Sequence, residues 1–144
     1  MTAKEFLQQY RQIDREIYER HEEIVRLRAR AERITATLTG MPGGGTRSDW
    51  TDIVARIVEL TEEMDERTRE LVRTGEEIEE LIDGIVDPAE RRCIRLRYVN
   101  GHSWLTIARK MHYSHSGIMS LHARALASFT ALWKSADSCG HLSG

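Results

Sequence analysis

The apolar residues of this chain change rhythm along its length, and each change marks a boundary. Phe6, Tyr10, Ile13, Ile17, Ile24, Leu27, Ala31, Ile34 and Leu38 follow one another in steps of three, four and seven. Such spacing keeps one stripe on one helix face, as coiled-coil packing requires. Thr2 and Glu5 stand before it at the spacing of a capping box. The stretch GMPGGGTRS, Gly40 to Ser48, cannot continue a helix and predicts a chain reversal at about Met41 to Gly45. A second stripe then starts near Asp49 and runs through Trp50, Ile53, Ile57, Leu60, Met64, Leu71, Ile78, Leu81 and Ile85. Each helix would be about 54 Å long at 1.5 Å per residue. Arg20, Arg67 and Thr74 interrupt the stripes. A reversal sets Arg20 and Arg67 at similar heights, where they would turn toward Glu16, Glu23, Glu63 or Glu70.

Beyond Val86 the helices become short. Asp87 is placed to cap a helix that opens with Pro88, and Glu90 stands at capping-box spacing. Asn100-Gly101 stops that helix, because glycine takes left-handed dihedrals without a Cβ clash. Ser103 can cap a second helix from Trp104 to Met111. After a turn at His112-Tyr113, Ser114 can cap a third. Helix, short turn, helix is a unit suited to laying its last member in the major groove of DNA. Cys93 or Ile94, with Leu96 and Val99, would face inward on the first helix. Ile107, Ala108 and Met111 follow on the second, and Ile118, Leu121, Ala125 and Leu126 on the third. Tyr98 and Trp104 are expected as core aromatics. A module of roughly this size is marginal alone, so contact with Ile85 and Val86 would help it fold.

Charge sharpens this division. The formal net charge is only −2, yet the chain to Val86 carries 13 basic and 20 acidic residues. From Asp87 to Lys134 there are 8 basic and 2 acidic residues. Nucleic-acid binding needs a local positive surface and not a positive total. The expected architecture is all-α: a long antiparallel helical hairpin at 1–86, a helix-turn-helix domain at 87–134, and a flexible tail at 135–144. A two-helix hairpin buries one stripe per helix, which is thin support for elements this long. A second copy could cover residues such as Val25, Val54, Val58 and Val72 in a four-helix bundle. Packing back onto the C-terminal domain is the competing solution, and a homodimer is the favoured expectation.

The string LRYVNGHSWLTIARKMHYSHSGIMSLHARAL resembles region four of bacterial sigma factors, whose pattern is roughly LRY…G…EIA…S…V…R…AL. It is more similar still to uncharacterised phage and prophage proteins that join a helical N-terminal part to such a region. Those proteins lie near the late-gene regulators of phages of low-GC Gram-positive bacteria. The opening KEFLQQYRQIDREI fits them too, so the resemblance spans nearly the whole chain. It implies base reading by His115, Ser116, Met119 and Ser120, at the start and on the outward face of the third helix. Sigma factors place several arginines there, and this sequence does not, which leaves out the bidentate arginine–guanine pair. Phosphate contacts would fall to Arg91, Arg92, Arg95, Arg97, Arg109, Lys110 and Arg124, with Lys134 beyond them.

Other chemistry finds little footing. His102, His112, His115 and His122 lie in the basic module, but HExxH and Cys/His zinc spacings are absent, so they are expected as turn residues and DNA contacts rather than metal ligands. There is no P-loop and no GxSxG, so neither a catalytic site nor a cofactor is expected. No apolar run approaches the roughly 18–20 residues of a membrane span. Two cysteines without CxxC spacing, and no signal-peptide apolar region, suit a reduced cytoplasmic setting. The expected function is a dimeric, double-stranded-DNA-binding transcriptional regulator. The alternatives are a sigma-like protein that binds RNA polymerase, with little DNA affinity of its own, and a phage DNA-packaging recognition subunit.

Overall fold

The computed structural model describes residues 1–38 and 46–138, and these are helical with no strand among them. Helix α1 spans Ala3–Leu38 and α2 spans Arg47–Asp83. Helix α3, Pro88–Ile94, runs on without a break into a π-helical turn, Arg95–Val99. Helices α4, Trp104–Met111, and α5, His115–Ser138, complete the chain. The all-α expectation, with its long hairpin, holds. Of the expected loop, residues 40–45 lie outside the described residues, while Arg47 and Ser48 already belong to α2. The expected tail is helical through Ser138, and its remaining residues also lie outside.

Helix starts follow local chemistry. The amide of Thr2 donates to Glu5 Oε2 at 2.7 Å and the Glu5 amide to Thr2 Oγ1 at 3.1 Å, a reciprocal capping box. The same device opens α2, between Thr46 and Asp49. It sits slightly earlier than the sequence pattern suggested. Hydrogen bonds from Thr46 also hold the Asp49 carboxyl below its ordinary range.

Packing divides the chain into two units. One is the middle of the hairpin, Ile13–Glu70. Its seam buries Ile13, Ile24, Ile34, Ile53 and Leu60. The interrupting arginines pair across it, Arg20 Nε with Glu63 Oε2 at 3.0 Å and Arg67 Nε with Glu16 Oε2 at 3.1 Å. Arg67 also reaches Glu70 and Arg56 reaches Glu23. These pairs are half-exposed and screened by solvent, so they set register more than they stabilise.

The other unit joins Met1–Gln12 to the chain from Leu71 onward. The packing boundary therefore falls inside both long helices, whereas composition changes at Asp87. Phe129 of α5 is fully buried in one apolar cluster with Phe6, Leu7, Ile78, Ile82, Ile94 and Tyr98. Trp133 stacks on Phe6 with ring centroids 6.1 Å apart. Packing back onto the C-terminal helices is thus realised at the ends of the hairpin. Ile85 joins this core as expected, whereas Val86 points to solvent at 92% exposure. Two ties span the same region. Arg95 grips Glu79 through Nε and Nη2, and Ser128 Oγ donates to Glu90 Oε1 at 2.6 Å. Glu90 therefore serves α5, while Asp87 alone caps α3, accepting from the Ala89 amide at 2.9 Å.

Removing the ring at the centre of this cluster tests its weight. Phe129→Ala should cost about 3–5 kcal/mol, the range for a buried aromatic, read from urea unfolding followed by circular dichroism. A change below about 1 kcal/mol would mean that this core does not hold the unit together.

Candidate nucleic-acid interface

Helices α4 and α5 are joined by a turn of three residues, and its geometry follows from the sequence. Ser103 Oγ accepts from the Thr106 amide at 3.2 Å and opens α4. At the other end His112 takes left-handed dihedrals, φ 59°, and its amide and that of Tyr113 satisfy the last carbonyls. Ser114 Oγ then accepts from the Gly117 amide at 3.1 Å and starts α5. Beneath the turn, Cys93, Ile107, Ala108, Ile118 and Leu121 form a second buried cluster. Burial pushes the Cys93 thiol up to about 11, so it is packing and not a nucleophile.

The residues expected to read bases divide. His115, Ser116 and Ser120 are exposed at the start and on the outer face of α5. Met119 is half-buried and packs against the cluster beneath the turn. It lies at the edge of the exposed face rather than on its crest.

The basic residues divide more sharply. Arg91 donates to the carbonyls of Ile85 at 2.5 Å and Val86 at 3.0 Å, closing the α2–α3 connection. Arg95 is held by Glu79, with Asp83 at 3.5 Å. Arg97 donates to the His102 carbonyl at 3.1 Å and lies over the Trp104 ring, 4.5 Å from its centroid. These three side chains are committed to internal contacts. Arg92, Arg109, Lys110, Arg124 and Lys134 are exposed and make no ion pair among the described residues. The outward positive surface is therefore smaller than the sequence count implies.

Sequence reasoning also missed an internal polar-aromatic cluster. His122 Nε2 lies 2.7 Å from the Tyr98 hydroxyl, and the His122 ring meets Trp104 edge-on at 4.6 Å. His122 is thus half-buried packing and not an outward DNA contact. The π-helical turn keeps Ile94 and Tyr98 buried while Arg95 and Arg97 reach Glu79 and Trp104. Only the i, i+4 placement of His122 after Ile118 hinted that this histidine could face the core. A groove of about 550 Å³ lies beside the turn, lined by Trp104, Leu105, Ala108, Arg109, His112, Tyr113 and His115. Leu105 is 62% exposed at its rim. Among the described residues no group of three or more His, Cys, Asp or Glu could hold a metal ion, and no helix is long and apolar enough to cross a membrane.

Residues 4–125 match the family described as "Protein of unknown function (DUF722)", and the chain belongs to that family. No curated protein and no solved structure matches it.

Burial, with the nearby charges of Lys4 and Arg97, pushes the His122 pKa below its ordinary 6.5. The unfolded chain then takes up the proton first on acidification. Stability contributed by neutral His122 is complete above the ordinary value and drains away as pH falls below it. His122→Gln should therefore lose less stability than the unaltered protein between about pH 7 and 5, in paired urea titrations. Parallel curves for the two proteins would remove His122 from the acid response.

Proposed function

We propose that this DUF722 member is a duplex-DNA-binding transcriptional regulator of phage or mobile-element genes, acting as a homodimer, with α5 as the helix that enters the major groove. The observation that carries the reading is how the basic side chains are sorted. Arg91, Arg95 and Arg97 are used up inside the fold, while Arg109, Lys110 and Arg124 stay outward on the two helices that flank the turn. No carboxylate lies between Glu90 and Asp137 to neutralise them. The exposed start of α5, at His115 and Ser116, adds helix-terminal amides that favour a phosphate. Such contacts position a protein on DNA, and base edges supply the specificity. With Met119 drawn toward the core, His115, Ser116 and Ser120 form the base-reading set, and modest sequence discrimination follows from the lack of a bidentate arginine.

A second reading is a sigma-like protein that docks on RNA polymerase. The groove beside the turn favours it, because Leu105 and Tyr113 offer apolar surface next to Arg109.

Full-length protein should bind duplex DNA with affinity that falls steeply as salt rises, through counterion release. Arg109→Ala and Arg124→Ala should each weaken binding to all sequences and lower the salt slope by about 1. His115→Ala and Ser120→Ala should narrow the gap between a selected and a scrambled duplex while sparing affinity for the scrambled one. Absence of any complex at low salt would reject DNA binding and leave the polymerase reading.

A further inference from the structure

The middle unit of the hairpin, Ile13–Glu70, has two unlike sides. Helical phase at about 100° per residue puts Glu16, Glu23, Arg56 and Glu63 on one side of the seam, where they pair. On the flank away from these pairs the seam of α2 widens: Val54, Thr61 and Thr68 stand beside the seam residues Trp50, Ile57 and Met64, and the six follow one another in steps of four and three. None of the six is charged. Each is exposed or half-buried in the single chain. Val58 and Val25 flank the stripe at 52% and 48% exposure, at the midpoint of the unit. An uncharged arc wider than one packed neighbour needs, continuing the seam on one flank at coiled-coil spacing, is the geometry of a bundle interior.

Charge along the unit says what covers it. The half nearer the reversal, residues 24–38 and 46–59, has six basic and four acidic residues. The other half, 13–23 and 60–70, has four basic and ten acidic residues. A second copy aligned in parallel would stack the acidic halves on one another. Turned end for end, each acidic half would meet the more basic half of its partner, and the valines would lie at the two-fold centre. Complementary potentials of this kind fix register and orientation, and a two-fold pairing of one patch with itself closes.

We propose that two copies of this chain associate through the uncharged stripe of α2, antiparallel, to form a four-helix bundle over residues 13–70. This rests on the homodimer part of the functional reading and is independent of whether DNA is bound. It narrows that part to one face and one orientation. Thr61 and Thr68 become the informative positions. About the stripe's midpoint the two copies of Thr61 would be offset by about 6 Å along the bundle, and those of Thr68 by about 27 Å, at 1.5 Å per residue.

The test uses full-length protein. Sedimentation equilibrium at tens of micromolar should give a dimer, and Thr61→Arg, at an exposed position, should raise its dissociation constant at least tenfold with unchanged circular dichroism. Thr61→Val, which keeps the site uncharged, should retain the dimer. Spin labels on Thr61→Cys or Thr68→Cys, in a Cys139→Ser background, should give a clearly shorter separation for the first pair. Equal separations would overturn the antiparallel order. A dimer indifferent to Thr61→Arg would place the interface elsewhere and leave the homodimer reading standing, whereas a monomeric wild type would remove both.

Discussion

Phe129 lies fifteen residues into α5, and its burial among Leu7, Ile78, Ile82 and Ile94 governs much of what the rest of the chain can do. The helix that starts with the candidate base-reading residues ends as a structural strut between the ends of the two long helices. Its first turns are covered on one side by Ile107 and Cys93, while its later turns are covered by α1 and α2. A short three-helix head has too little interior to be secure alone. Here that deficit is met by borrowed surface, from Phe6 and Leu7 of α1, more than a hundred positions from Phe129, and from Ile78 and Ile82 of α2. The head is accordingly one cooperative object with the hairpin ends, and not a domain on a tether.

That dependence shapes the electrostatics of the candidate interface. Holding α3 against α2 takes Arg95 onto Glu79, and closing the connection takes Arg91 onto two carbonyls. Arg97 is consumed in fixing Trp104. What remains outward is Arg92 on α3 with Arg109, Lys110, Arg124 and Lys134 on α4 and α5, a smaller positive surface than the sequence count. A small positive surface on a rigid support suits weak individual contacts made in a fixed geometry, and pairing two such heads raises the effective concentration of the second.

Much of this was legible in the sequence. The heptad stripes, the caps at Thr2, Asp87, Ser103 and Ser114, and the stops at Asn100-Gly101 and His112 are local signals read within a few residues. The partners of Arg20 and Arg67 followed from folding two stripes onto each other. The packing boundary was not legible, because composition changes at Asp87 while packing changes inside uninterrupted helices. Its trace was present in doubled apolar positions, Phe6-Leu7 and Leu81-Ile82, where a helix that packs on one neighbour needs only one residue. A second apolar residue beside the seam signals a third element. Counting arginines likewise overstated the outward positive charge, since sequence does not reveal which guanidinium finds a carboxylate or carbonyl. Met119 and His122 were misjudged because α5 is covered from two directions, so its buried arc is wider than a single neighbour would need.

Native-state hydrogen exchange tests the joint core most directly. Amides of α5 near Phe129, of α1 near Leu7 and of α2 near Ile82 should open together with one common free energy, since they belong to the same cooperative cluster. Amides of α4 and α5 that stay protected while the first turns of α1 and the last turns of α2 exchange freely would show a head that folds by itself, and would contradict the account.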